Sequence, residues 1–439
     1  VIGTHEVLVY PQGDAPAGTP EDITCLIDGV SIQHGRTDTT AQPEPAAATL
    51  DFTVGPGAPL PAVVDMGAWV KVVTHLAGED STRFVGRVTD LAIGWEDAGA
   101  DTPEAGAGQL VAVAGLADYG RRVIGDAPFP AELDGARVAR VFDVAGLVLD
   151  PAFSDPGTVQ VVSRDVDRQP ALEVARATAD SAGGLIWHTR DGLIRYADAE
   201  HRRGTTIALD LDVCDVLVTP TWLRNLDGLV NEVSMTYGVA VDGGERPNHH
   251  AVNTTSQARY GVYDYSVTVE LAALSDAVAA TSLILTQNGT PVWMLQELPV
   301  DVAGLTAAET HTLLGLEVHS LVRVGGLPET GQTPTSIAAW VEGWTERLAW
   351  GVHELTLAVS DYCRTTPPAR WNDLDSSMTW DTAPGIWDTA GCIGAPSPNL
   401  GTWDTVPASV RWDQVDPALA WDQAGGGVTS ALVAAGASA

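Results

Sequence analysis

Four residues recur at one spacing in two distant parts of the chain, and this constrains its architecture more than any other feature. Gly343, Leu348, Ala349 and Gly351 repeat, without a gap, the spacing of Gly86, Leu91, Ala92 and Gly94. A short alternating segment precedes each set, Val70-Lys71-Val72 before the first and Val322-Arg323-Val324 before the second. Each copy closes on the same dipeptide, Asp118-Tyr119 and Asp361-Tyr362. Three anchors in one order predict a supersecondary unit used twice. The closing segment of the second copy alternates as a half-buried strand should. His353, Leu355, Leu357 and Val359 fall on one face, and Glu354, Thr356, Ala358 and Ser360 on the other. Glycines inside such strands mark bulges or bends where a sheet curls into a barrel or sandwich. The expectation is a mainly β chain with two related β-barrel or sandwich domains, a small α/β insert and an extended C-terminal arm.

A chain of 439 residues exceeds one ordinary core. After an N-terminal arm over 1–20, short strands punctuated by Gly, Pro and Asp place the first β-domain at 21–120. Its last two strands, Arg83 to Trp95 and Gln109 to Leu116, are joined by an acidic loop, Glu96 to Gly108, that the second copy lacks. A small α/β domain follows at 121–204. Asp134 is placed to cap a helix from Ala136 to about Leu147, and Pro170 to open another that buries Leu172, Ala175, Ala179 and Ala182. Gly184 to Thr189 and Leu193 to Tyr196, linked through Asp191-Gly192, read as a β-hairpin. The second β-domain, 205–363, contains strands at Val292 to Leu298 and Glu317 to Val324 and a polar loop, Asp242 to Gln257. It also holds helices from Ser275 and from Thr306, where Thr306 and Glu309 have capping-box spacing.

The last stretch, 364–439, has a different grammar. Trp371-Asn372, Trp380-Asp381, Trp387-Asp388, Trp403-Asp404, Trp412-Asp413 and Trp421-Asp422 recur among Pro, Gly, Ser and Thr, with too few aliphatics for a core. The spacing does not fit a propeller blade. It fits an extended arm whose indoles dock on neighbouring subunits, since buried Trp anchors dominate interface energies.

Charge and motif content exclude several function classes. Asp plus Glu number 57 against 23 Lys plus Arg, a net charge of −34, which repels polyanions and argues against a sequence-reading nucleic-acid binder. Neither an apolar run long enough to span a membrane nor, at Val1 to Tyr10, a signal peptide is expected. Cys25, Cys214, Cys363 and Cys392 have no metal or disulfide spacing and read as isolated buried thiols. There is no nucleophile elbow, phosphate loop, zinc-protease motif or dinucleotide fingerprint. The His249-His250 pair, the trio His311, Glu317 and His319, and the acidic group Asp210, Asp212 and Asp215 match no metal motif. No catalytic residue, cofactor or metal site is predicted.

Read together, Ile23 to Gly35, the strand Phe84 to Asp90, the helix and hairpin from Ala171 to Arg195, Asn231-Glu232-Val233, Arg259-Tyr260-Gly261 and the Trp-Asp arm resemble the minor tail proteins of long-tailed actinobacterial phages, of the tail-hub type. The likeness spans most of the chain on degenerate motifs. It implies a non-enzymatic virion protein at the tail tip, assembled in the host cytoplasm. It also implies a homotrimer whose two barrels per chain form a six-membered ring. The implied partners are the tail tube, distal tail, tape measure and other minor tail proteins, with DNA in transit. A host-receptor protein binding cell-wall glycan through Trp380 or Trp403 is the alternative reading, and a cell-wall hydrolase a third.

Overall fold

The computed structural model describes residues 4–362 apart from 14, 38, 40, 56–58, 77, 96–105, 126, 204–205, 216–219, 241–243, 296, 329, 331–332 and 334. The Trp-Asp arm, Cys363 and Cys392 therefore lie outside the described residues.

Alternation drives most of the chain into strands, and the fold is mainly β. In Ala47–Val54, Ala48, Leu50, Phe52 and Val54 are buried while Asp51 and Thr53 are exposed. Twelve strands form one mixed sheet. The first seven are β1 (Thr4–Tyr10), β2 (Glu21–Asp22), β3 (Ile27–Gly35), β4 (Ala47–Val54), β5 (Trp69–Leu76), β6 (Glu79–Trp95) and β7 (Gly106–Val113). The other five are β8 (Ile207–Asp212), β9 (Glu297–Asp301), β10 (Leu321–Gly325), β11 (Ile337–Ala349) and β12 (Val352–Asp361). Their order is β8-β10-β11-β3-β4-β7-β6-β5-β1-β2, with β12 on β11 and β9 on β12. All these pairs are antiparallel except β8 with β10.

Both halves contain an antiparallel meander, β5-β6-β7 in the first and β10-β11-β12 in the second. Leu91 sits opposite Leu110, and Leu348 opposite His353. Asp118 and Tyr119 lie in the short helix Leu116–Tyr119 that follows β7, and Asp361 and Tyr362 lie at the end of β12. Gly351, with φ 70°, turns the β11–β12 hairpin, whereas Gly94 is an ordinary strand position opposite Ala107.

The two halves are not separate sheets. Gly343 to Ala349 of β11 pair with Gly35 to Gly29 of β3, welding the second meander to the first. Gly343 carries this weld, because a Cβ there would stand 2.4 Å from the His34 carbonyl oxygen and 2.7 Å from Arg36 N. Gly35, facing it with φ 72°, is equally crowded, its Cβ position lying 2.3 Å from the Glu342 carbonyl oxygen.

Among the described residues three larger apolar cores form, beside two small clusters around Met235 and Trp340. Val7, Ile32, Phe52, Val72, Phe84 and Leu110 belong to the first core, together with Leu348 from the second half. Two helices, α1 (Asp134–Val144) and α2 (Ala171–Ala182), pack with the hairpin strands Leu185–His188 and Ile194–Ala197 around the second core, which contains Phe142, Val174, Ile186 and Tyr196. Leu211, Leu298, Val322, Trp344 and Leu357 form the third core, joined by Trp187 and Ala197 of that hairpin.

The hairpin, the buried α2 stripe and the Thr306–Glu309 capping box stand as expected. Other expectations need correction. Asp134 does not cap: it is the first residue of α1, fully buried, and accepts hydrogen bonds from Thr158 N, Val159 N and the Tyr196 hydroxyl. The loop at Asp242 to Gln257 contains a strand, Asn248–Val252, and the start of a helix, Thr254–Tyr260, capped by the Asn253 side chain. The strand expected from Glu317 begins at Leu321, because Glu317 to Ser320 form a turn with His319 in the left-handed region at φ 73°. Val292 to Leu298 splits into Met294–Leu295 and β9. Cys25 and Cys214 are exposed, not buried.

Gly343→Ala is expected to lower unfolding free energy by at least the ~1–3 kcal/mol typical of overpacking. Gly315→Ala, at an exposed helical position with open space around it, should be neutral or mildly stabilising. Equal urea midpoints for the two variants would refute the steric account of the weld.

Candidate functional site

β11 is paired with β10, β12 and β3 inside the sheet, and a strand so placed that carries the buried Glu342 and Glu346 must supply each carboxylate with a partner, since an unpaired buried charge is costly. The partners come from the other modules. Glu346 and Arg83 of β6 are both fully buried. Arg83 Nε donates to Glu346 Oε1 at 2.8 Å and Nη2 to Oε2 at 2.8 Å, while Nη1 donates to the Leu314 carbonyl at 2.5 Å. His353 Nε2 donates to Glu346 Oε1 at 2.7 Å. Burial alone would raise the Glu346 pKa, but Arg83 and His353 outweigh it and hold the carboxyl well below the usual range.

Glu342 repeats the arrangement four residues earlier. Arg202 grips it bidentately, Nη1 to Oε1 at 2.7 Å and Nη2 to Oε2 at 2.8 Å, and Arg36 Nε donates to Oε2 at 2.9 Å. Burial raises this carboxyl too, yet the Arg202 and Arg36 guanidiniums bring it down to about 2. Arg202 Nε donates to His319 Nδ1 at 2.8 Å, so the neutral His319 ring carries its proton on Nε2.

Between the two glutamates stands Trp344. The His34 ring of β3 stacks on its indole at 4.6 Å, and the guanidinium of Arg190, from the tip of the hairpin, lies 3.8 Å from the ring centroid. Burial, then the charge of Arg190, lower the His34 pKa to about 3. Its neutral Nε2–H therefore donates to the Arg83 carbonyl at 3.1 Å. Burial and the nearby Arg83 push Arg190 down to about 9, which leaves it charged at neutral pH, with Glu317 3.7 Å away. Trp344 is thus touched by residues of the first half, the α/β module and the second half at once.

Of the residues singled out by sequence, Gly343 and Leu348 belong to this junction. Gly86 lies one strand module away, opposite Val70, where a Cβ would meet the Phe84 ring at 2.4 Å. Asp118 is 3.6 Å from Arg87, and Tyr362 packs on Trp340 at 5.7 Å. Trp371, Trp380, Trp387, Trp403, Trp412 and Trp421 are outside the described residues. The histidine and acidic groups separate in part: His311 pairs with Glu79, His250 with Glu232, and Asp210 with Arg323, while Glu317 and His319 stay together and Asp212 N donates to Asp215 Oδ2 at 2.9 Å. Among the described residues no group of three potential ligands could hold a metal ion.

Sequence reading missed Arg36, Arg83, Arg190, Arg202, Glu342 and Glu346. One signal was available: two glutamates inside a strand dominated by apolar residues, in a chain with 23 cations, demand specific arginines.

No family model matches the sequence, and no curated protein matches it. Solved structures do share the fold. The 43 kDa tail protein of prophage MuSo2 from Shewanella oneidensis is similar with a TM-score of 0.55 at 12% identity, over 82% of this chain and 99% of that one. A tail protein from Neisseria meningitidis MC58 gives 0.55 at 11% identity, over 83% and 99%.

Glu346→Ala strands the buried Arg83 charge and should cost about 3–5 kcal/mol, whereas Arg83→Met combined with Glu346→Leu should recover most of that loss. A double-mutant cycle from urea unfolding checks this; additive losses would show that the pair is not coupled.

Proposed function

We propose that this chain is a structural protein of a phage tail, acting as a hub at the tail tip that joins the tube to tip components and lets DNA pass. The observation that carries the reading is the β11–β3 weld, in which two meanders of one chain share a continuous sheet. Three chains joined in the same sense would set six such modules around one axis, a ring matched to a sixfold tube. The fold shared with two tail proteins supports a tail component. The net charge of −34 suits a passage that DNA must cross without adhering, over roughly a Debye length of 8 Å at physiological salt. The proposed partners are further copies of the chain, the tube, the distal tail, the tape measure and other tail-tip proteins.

The duplicated anchors Gly86, Leu91, Gly94, Asp118 and Tyr119, with Gly343, Leu348, Gly351, Asp361 and Tyr362, are proposed to mark equivalent modules of that ring. The division into an arm at 1–20, β-modules at 21–120 and 205–363, an α/β module at 121–204 and a Trp-Asp arm from 364 belongs to the same proposal. The chemistry of the junction fits this role, since Glu342 and Glu346 are each committed to buried arginines of other modules.

Copy counting by quantitative mass spectrometry of purified tails, with antibody labelling in electron micrographs, is expected to give three copies at the tail end on its axis. Label on off-axis fibres, or along the tube, would contradict the hub; specific glycan binding lost in Trp380→Ala or Trp403→Ala would favour a receptor-binding protein.

A further inference from the structure

A cleft of about 380 Å³ opens between the α/β module and the second half of the chain. Phe153, Trp187, Arg195 and His201 line one side, and Glu317 and His319 the other. Its walls are rich in rings: His201 and His319 lie 5.0 Å apart, and Trp187 is 5.1 Å from His319. Phe153 is 60% exposed, a large apolar ring left uncovered at the mouth. The Arg195 guanidinium lies 4.3 Å from the Phe153 centroid. Arg195 commits Nε to Asp150 at 3.2 Å, and its terminal nitrogens make no hydrogen bond among the described residues. His201 is engaged by Asp155 at 2.8 Å. The cleft therefore offers an open aromatic surface beside an available guanidinium fork, which suits a planar apolar group followed closely by a carboxylate.

The same chain carries that chemistry five times, at Trp380-Asp381, Trp387-Asp388, Trp403-Asp404, Trp412-Asp413 and Trp421-Asp422. The arm also starts beside the cleft. His319 N donates to the Val341 carbonyl and Val341 N to the Ser320 carbonyl, each at 2.9 Å, which ties the cleft wall to β11. On the other edge of β11, Trp340 pairs with Ser360 of β12, two residues before Tyr362. The arm thus leaves about two strand spacings, roughly 10 Å, from the cleft wall. Trp380 follows Tyr362 by 18 residues. An extended chain of that length reaches on the order of 60 Å, enough for the cleft of the same copy or of a neighbour.

We infer that this cleft is the seat of a Trp-Asp pair from the C-terminal arm of this chain, with the indole against Phe153 and the rings behind it and the carboxylate on the Arg195 fork. The inference is independent of the hub reading, since it requires neither a ring nor a tube. It gives the repeated dipeptide a receptor and the exposed Phe153 a cover. Several pairs competing for one cleft per copy would let the arm seat itself in alternative registers.

Replacing the exposed Phe153 in the full chain with photoreactive p-benzoylphenylalanine tests this without disturbing a core. Irradiation and peptide mapping should give crosslinks to peptides containing the Trp-Asp pairs, and species of one-copy and two-copy mass both support the seat. The crosslink should be lost when Trp371, Trp380, Trp387, Trp403, Trp412 and Trp421 are all changed to Ala. Failure to reach the arm, or an undiminished arm crosslink in the six-Ala chain, would overturn the inference.

Discussion

The rest of the structure depends on how β11 satisfies two carboxylates that its position forces out of water. A glutamate at full burial is tolerable only with charge-assisted partners, and here those partners are arginines from other modules: Arg83 and Arg36 from the first half, Arg202 from beyond the hairpin. Such pairs add little net stability compared with apolar replacements. Removing either partner would leave the other charge buried and alone, which is the costly outcome. Trp344 adds the apolar part of the same instruction, receiving His34 and Arg190 on its indole.

The glycines at the weld explain why this junction is tight enough to exclude water. Gly35 and Gly343 bring two backbones to a separation that no side chain permits, so β3 and β11 can pair across the module boundary. Once they do, Leu348 enters the first core and Trp187 the third, so that each of these two cores is completed by a residue from another segment. The shared sheet thus makes the second meander the first one's neighbour.

Much of this was legible beforehand, and the exceptions have physical causes. Alternation located the strands because one face is buried, as in β4, and it held for the first half of β12, whose Ala358 and Ser360 are buried on the other face as well. The Asp191-Gly192 link and the Thr306–Glu309 box were visible because they are local chemistry, complete within a few residues. Arg83 and Glu346 are 263 positions apart, and nothing local in either says that it will be buried. Asp134 looked like a cap because an acid before a helix usually is one; its partners, Thr158 and Tyr196, come from later segments. His319 broke the strand expected at Glu317 by adopting a positive φ that a non-glycine residue rarely takes.

These relations lead to one claim, that the first half, the α/β module and the second half form a single cooperative unit held at Trp344 and the two glutamates. Native-state hydrogen exchange measures this most directly, through amides of Leu50, Val174 and Leu357, one in each core. The account predicts one common opening free energy for all three, equal to that of global unfolding. Clearly lower protection at Val174, or separate values for Leu50 and Leu357, would contradict it and leave the junction a contact between independently stable parts.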